Sequence, residues 1–115
     1  MIAVIFEVIP DEGQTQAYLD HAADLRPLLE QADGFISVER FQSLTDSSKL
    51  LSLSYWDSED AVRAWRQTEQ HRASQAAGRA DIFRSYRIRV AQVLRDYTLD
   101  DRAQAPADSR AAHSG

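Results

Sequence analysis

The chain has 115 residues, a length that supports one domain around a single core. Hydrophobic residues make up 43% and charged residues 27%, and the formal net charge of −5 supplies no basic footprint for nucleic acid or an anionic membrane. Cysteine is absent, which excludes disulfides, thiolate metal sites and a cysteine nucleophile. The first apolar run, "MIAVIF", is too short for a transmembrane span and lacks the basic start and cleavage site of a signal peptide, so a cytoplasmic location is expected.

"MIAVIFEVI" predicts a buried strand, with Ile2, Val4, Phe6 and Val8 on one face, Ile5 and Ile9 on the other, and Glu7 as its one charge. "PDEG" ends it. From Gln14 the positions Tyr18, Ala22, Leu25, Leu29 and Ala32 recur at helical spacing, with Gly34 expected at C′ and Pro27 expected to kink the helix. "FISVERFQ" (35–42) and "LLSLSYW" (50–56) predict two strands joined by the turn "SLTDSSK". Asp57 is the expected N-cap of a helix carrying Ala61, Val62 and Trp65. The polar run "RQTEQ" should break that helix, and "HRASQAA" should form a further short one closed by Gly78. A long strand is expected over 81–97, with Tyr86, Ile88 and Val90 on one face and Arg87 and Arg89 on the other.

Residues 1–97 therefore form the domain, and 98–115 form a polar tail with one large apolar residue, Leu99, expected to be mobile. The order strand, helix, strand, strand, helix, strand is the ferredoxin-like split βαβ plan, an α+β fold with an antiparallel sheet. Both faces of the first strand are apolar, so the sheet face away from the helices needs a partner.

The segments "GFISVERFQS", "LLSLSYWDSEDAVRAWRQTEQHRASQAAGR" and "YRIRVAQVLRDY" resemble the antibiotic biosynthesis monooxygenase family over roughly residues 2–97. The resemblance implies a homodimer in which two such sheets face each other as a dimeric α+β barrel. It also implies a choice of chemistries: oxidation of polyketide anthrols by O₂ without metal or flavin, haem degradation, or action on small quinols. Quinone-forming members carry an asparagine one helical turn before the tryptophan, where this chain has Ala61. Haem-degrading members have an asparagine on the first strand, near Glu7 here, and a haem-ligating histidine where this chain has Gln75. The chain contains no asparagine at all, so neither constellation is complete.

His71 is the candidate catalytic residue, because an unperturbed imidazole titrates near about 6.5 and suits a general base; the alternative is a structural histidine at a helix start. Trp65, Tyr86, Phe6 and Trp56 are the candidate substrate-binding residues, each able to serve as core instead. Trp65 and His71 can converge only if the helix breaks between them, since six helical residues rotate a side chain by about 120°. Arg87 and Arg89 are expected to pair with acids such as Glu39. His21 with Asp24 falls short of a metal site and reads as a solvated helix face. The reading is a small cofactor-independent monooxygenase acting on an aromatic or quinol-type molecule. The alternative is a non-catalytic dimeric small-ligand binding protein, with haem less favoured than other ligands.

Overall fold

The computed structural model describes residues 1–68, 73 and 82–112. Its elements are β1 (Ile2–Pro10), α1 (Thr15–Glu30), β2 (Phe35–Gln42), β3 (Leu50–Trp56), α2 (Glu59–Arg66), β4 (Phe83–Gln92) and a short α3 (Ala107–Ala112). The four strands form one antiparallel sheet in the order β2-β3-β1-β4, the expected ferredoxin-like arrangement. The β1–α1–β2 and β3–α2–β4 crossovers leave both helices on one side of it.

Side-chain alternation sorts the sheet into two faces. Val4, Phe6 and Val8 of β1 point to the helices, level with Ser54, Ser52 and Leu50 of β3 and with Val90, Ile88 and Tyr86 of β4. The helix-side core has two centres. Ile2, Leu29, Trp56 and Val62 form one, and Val8, Tyr18 and Ile82 form the other. The outer face carries Ile5, Ile9, Leu51, Leu53 and Tyr55, all half-buried, with Phe41 exposed at its edge. Glu7 lies among them and is flanked by Lys49 Nζ at 3.4 Å and Arg89 Nη1 at 3.5 Å. Arg89 thus pairs with Glu7 and not with Glu39. Glu39 is on β2 and Arg89 on β4, the two opposite edges, three strand spacings or about 14 Å apart.

Local chemistry explains the element boundaries. Tyr18, Ala22 and Leu29 are the buried stripe of α1, which continues through Pro27 to Glu30. The N-cap of α2 is Ser58, not Asp57: the Ser58 hydroxyl accepts from the Ala61 amide at 3.1 Å, and Glu59 and Asp60 complement the positive helix start. Asp57 instead donates its amide to the Gly34 carbonyl at 2.8 Å. In the turn between β2 and β3, Ser48 donates from its amide and hydroxyl to Asp46 Oδ1, which holds the Asp46 carboxyl below the ordinary carboxylate range.

Gly34 is not the C′ residue of α1, whose C-cap is Gln31; it lies in the turn that starts β2. Its φ of +80° is in the left-handed region, and a Cβ there would stand 2.3 Å from Asp57 Oδ1 and 2.6 Å from Ala61 Cβ. The glycine lets the turn after α1 touch the start of α2.

β4 ends at Gln92, earlier than the strand expected over 81–97, although the Val93 amide still donates to the Met1 carbonyl. Where composition suggests only a mobile tail, the structure has a turn at 98–101 and the helix α3. Arg102 organises it. Its guanidinium lies 5.0 Å over the Tyr97 ring and donates to the carbonyls of Thr98 and Ser109, while Arg110 donates to that of Ala103. These contacts join arginines to backbone carbonyls, which apolar area does not report.

Gly34→Ala should cost at least about 2 kcal/mol, combining left-handed strain with overpacking against Asp57 and Ala61. Gly13, with φ of +78° and nothing within 4 Å of an added Cβ, carries only the strain, so Gly13→Ala should cost about 1 kcal/mol. Denaturant melts of both variants check the difference, and equal losses would contradict the close approach at Gly34.

Candidate functional site

A cavity of about 240 Å³ lies between the sheet and the two helices. Its floor follows from the sequence of β3. The helix-side residues of that strand are Leu50, Ser52, Ser54 and Trp56, large at both ends and small in the middle. Ser52 and Ser54 occupy the two rows where a leucine or valine would have filled the space beneath Leu25 and Trp65. Neighbouring strands continue these rows with Arg40, Phe6 and Ile88 in one and Val38, Val4 and Val90 in the other.

Aromatic rings stand at the two ends. At one end Phe6 packs against Phe83 and Tyr86, both at 5.8 Å between centroids, and against Tyr18 at 6.4 Å. At the other, Trp56 meets Phe35 edge-on at 5.4 Å and Trp65 at 6.4 Å. Trp56 is only 2% exposed, and its indole N–H donates to Ser54 Oγ at 3.0 Å, which fixes one ring edge and one floor hydroxyl together. Tyr86, Ile88 and Val90 are 45%, 44% and 47% exposed, so the cavity is most accessible along the β4 edge.

The structure thus brings Phe6, Trp56, Trp65 and Tyr86 onto one cavity wall system, with Trp65 also packed on the core around Trp56. His71 lies outside the described residues, as do Gln75 and Gly78 and, apart from Ala73, the short helix expected at 71–77. The helix break that convergence of Trp65 and His71 requires is present. α2 ends at Arg66 with Gln67 as C-cap, and Thr68 turns back to donate its amide and hydroxyl to the Trp65 carbonyl.

Sequence reasoning missed Tyr18, His21, Arg40, Ser52 and Ser54, all of which line the cavity. His21 is partly buried at the wall and is not simply part of a solvated helix face. Its position was legible, since it neighbours Ala22 and falls three residues after Tyr18. Among the described residues no cluster of three metal-ligating side chains occurs. No described helix is long and apolar enough to cross a membrane.

Residues 1–77 match the family described as antibiotic biosynthesis monooxygenase, and the chain belongs to that family. It is 43% identical over 93 residues to a jasmonate monooxygenase of Pyricularia oryzae, covering 81% of this chain but only 43% of that protein, so the chain spans under half the length of that relative. It is 36% identical over 93 residues to YqjZ of Bacillus subtilis, covering 81% and 79% respectively. Among solved structures, a Deinococcus radiodurans protein described as a putative antibiotic biosynthesis monooxygenase superposes with a TM-score of 0.76 at 11% identity, over 85% of this chain and 97% of the other. Rv0793 of Mycobacterium tuberculosis does so with 0.75 at 18% identity, over 84% and 98%. These likenesses show the shared α+β fold.

Filling the floor should abolish the cavity without harming the fold. Ser52→Leu places apolar volume where none exists, so its melting temperature should hold or rise, as cavity-filling substitutions commonly add about 0.5–2 kcal/mol. Binding of β-naphthol by titration calorimetry should fall at least about tenfold, the loss of roughly 1.4 kcal/mol. Unchanged binding would place the ligand elsewhere.

Proposed function

We propose that this member of the family is a small cofactor-independent monooxygenase acting on an aromatic or quinol-type molecule held in the cavity over Ser52 and Ser54. The observation that carries the reading is the cavity itself: space left open by two serines inside a mostly aromatic and aliphatic wall. Its size, about 240 Å³, suits a molecule of one or two rings. It falls below the roughly 300–1,000 Å³ of larger ligand sites.

The chemistry needs a base, a shielded ring and O₂. Removal of a proton from a phenolic substrate leaves an electron-rich anion that passes an electron to O₂. One oxygen atom then enters the ring as a new carbonyl, and the hydrogen of the oxidised ring carbon and that of the phenol leave with the other oxygen as water. Trp65, Tyr86, Phe6 and Trp56 hold the ring and exclude solvent. His71 is the base proposed from the sequence, and His21 is a second imidazole at the cavity wall.

A second reading, a ligand-binding protein without turnover, is favoured by the absence of asparagine from the chain, the side chain that the resemblance gives to the quinone-forming members. Oxygen uptake separates the two readings. With α-naphthol the enzyme should consume O₂ and form the quinone. Glutamine at the residue supplying the base, His71 or His21, should lower turnover about 10²–10⁴-fold with the melting point retained. With His71 as the base, activity should rise with pH, because only the neutral imidazole accepts a proton. Binding without oxygen uptake would establish the second reading, and full activity in both variants would remove the imidazole from the mechanism.

The proposal includes a homodimer, in which Ile5, Leu51, Leu53 and Tyr55 of the outer face meet the same residues of a second copy. A stable dimer of this kind buries at least about 1,200 Å² in total. Sedimentation at micromolar concentration should give twice the monomer mass, and Leu53→Arg should return the chain to a monomer. A wild-type monomer would overturn the pairing.

A further inference from the structure

We infer that the ligand is an apolar acid and that Arg40 holds its carboxylate, a reading that rests on the cavity as ligand site and adds the ligand's charge. Arg40 belongs to the helix-side face of β2, opposite Ser52 in the ladder, and lines the cavity. Its guanidinium carbon lies 6.0 Å from the centroid of the Tyr18 ring. Its Nε is buried and has no hydrogen-bond partner. A buried donor without an acceptor is a liability that folded proteins rarely keep, and each instance asks for an explanation.

The surrounding charges point the same way. The charged or titratable lining residues besides tyrosines are His21, Arg26, Arg40 and Arg66, and no aspartate or glutamate is among the described lining residues. This excess of cations stands in a chain with 18 acidic residues and a net charge of −5. Arg26 is already answered by Glu30 at 2.9 Å on the helix surface. Arg40 has no carboxylate within ion-pairing distance among the described residues.

Arginine presents Nε and one Nη as a planar edge that two carboxylate oxygens match with parallel hydrogen bonds. Arg40 lines the cavity as the ladder partner of Ser52, its Nε buried and its guanidinium carbon 6.0 Å from the Tyr18 ring. The apolar body of the ligand would then lie over Ser54 toward Trp56 and Trp65. Carboxylate recognition of this kind orients the ring without taking part in the oxidation.

The test uses cinnamate and its neutral amide, cinnamamide, which share one shape. Titration calorimetry on the full-length protein should show cinnamate bound about ten- to a hundredfold more tightly than cinnamamide. Arg40→Met keeps the apolar stem and should bring cinnamate down to the affinity of the amide, with a melting temperature unchanged or raised. Arg40→Lys should recover part of the preference. Equal affinity for the two compounds in the wild type, no binding of cinnamate, or an undiminished preference in Arg40→Met would each overturn the assignment. If Arg40→Met fails to fold, the wild-type comparison and Arg40→Lys still decide. Cinnamamide bound as well as cinnamate would sink the carboxylate while leaving the cavity a ligand site. A preference for cinnamate without oxygen uptake on α-naphthol would keep the carboxylate site and remove the monooxygenase reading.

Discussion

Side chains on β3 alternate between two faces, so the register that pairs Val8 with Leu50 and Ile2 with Trp56 sends Ser52 and Ser54 beneath the helices and Leu51, Leu53 and Tyr55 to the opposite side. This inverts what a simple amphipathic strand would do. The more apolar set faces away from the helices, and the small polar pair faces them. Two consequences follow from this one pattern. An unfilled volume remains inside the monomer, and an apolar surface remains outside it, the first suited to a small molecule and the second to another sheet. A slip of one residue in β3 would exchange the two sets and remove both.

Holding such a volume open requires rigid surroundings, because an apolar void with compliant walls closes. The walls are rings packed in two groups, Phe6 with Tyr18, Phe83 and Tyr86, and Trp56 with Phe35 and Trp65. Trp56 is tied by its indole N–H to Ser54, and α2 is seated by Ser58 and by the close approach of Gly34 to Ala61. Each of these places a helix over the serines at a set distance. Arg40 then contributes the one feature of the wall that plain packing does not account for.

The strand and helix periods made the fold readable from the chain alone. β2 and β3 have the bounds expected from "FISVERFQ" and "LLSLSYW", and the buried positions of α1 include Tyr18, Ala22 and Leu29 from the expected stripe. Tyr86, Phe6, Trp56 and Trp65 were legible as aromatic residues on inward positions. The serines were not, because a small residue signals a cavity only once its neighbours across the sheet are known. Arg40 was hidden among twelve arginines and lies on an edge strand, where charge is ordinary. The ion pairs of Glu7 depended on strand order, which put β4 next to β1 and β2 far from it. The turn of the chain after Thr98 depended on Arg102 finding backbone carbonyls, a contact with no periodic signature.

A ligand held over Ser52 and Ser54 enters on the helix side of the sheet and not on its outer face. Methyl NMR during a titration with β-naphthol tests this directly, because leucine and valine methyl groups report from both sides. Leu25 and Leu29 of α1, with Val38, Val62 and Val90, line the cavity, whereas Leu51 and Leu53 belong to the outer face. The cavity-lining methyl groups should shift progressively with ligand while those of Leu51 and Leu53 hold still. Shifts concentrated on Leu51 and Leu53, with the methyl groups of Leu25 and Val62 unmoved, would contradict that placement.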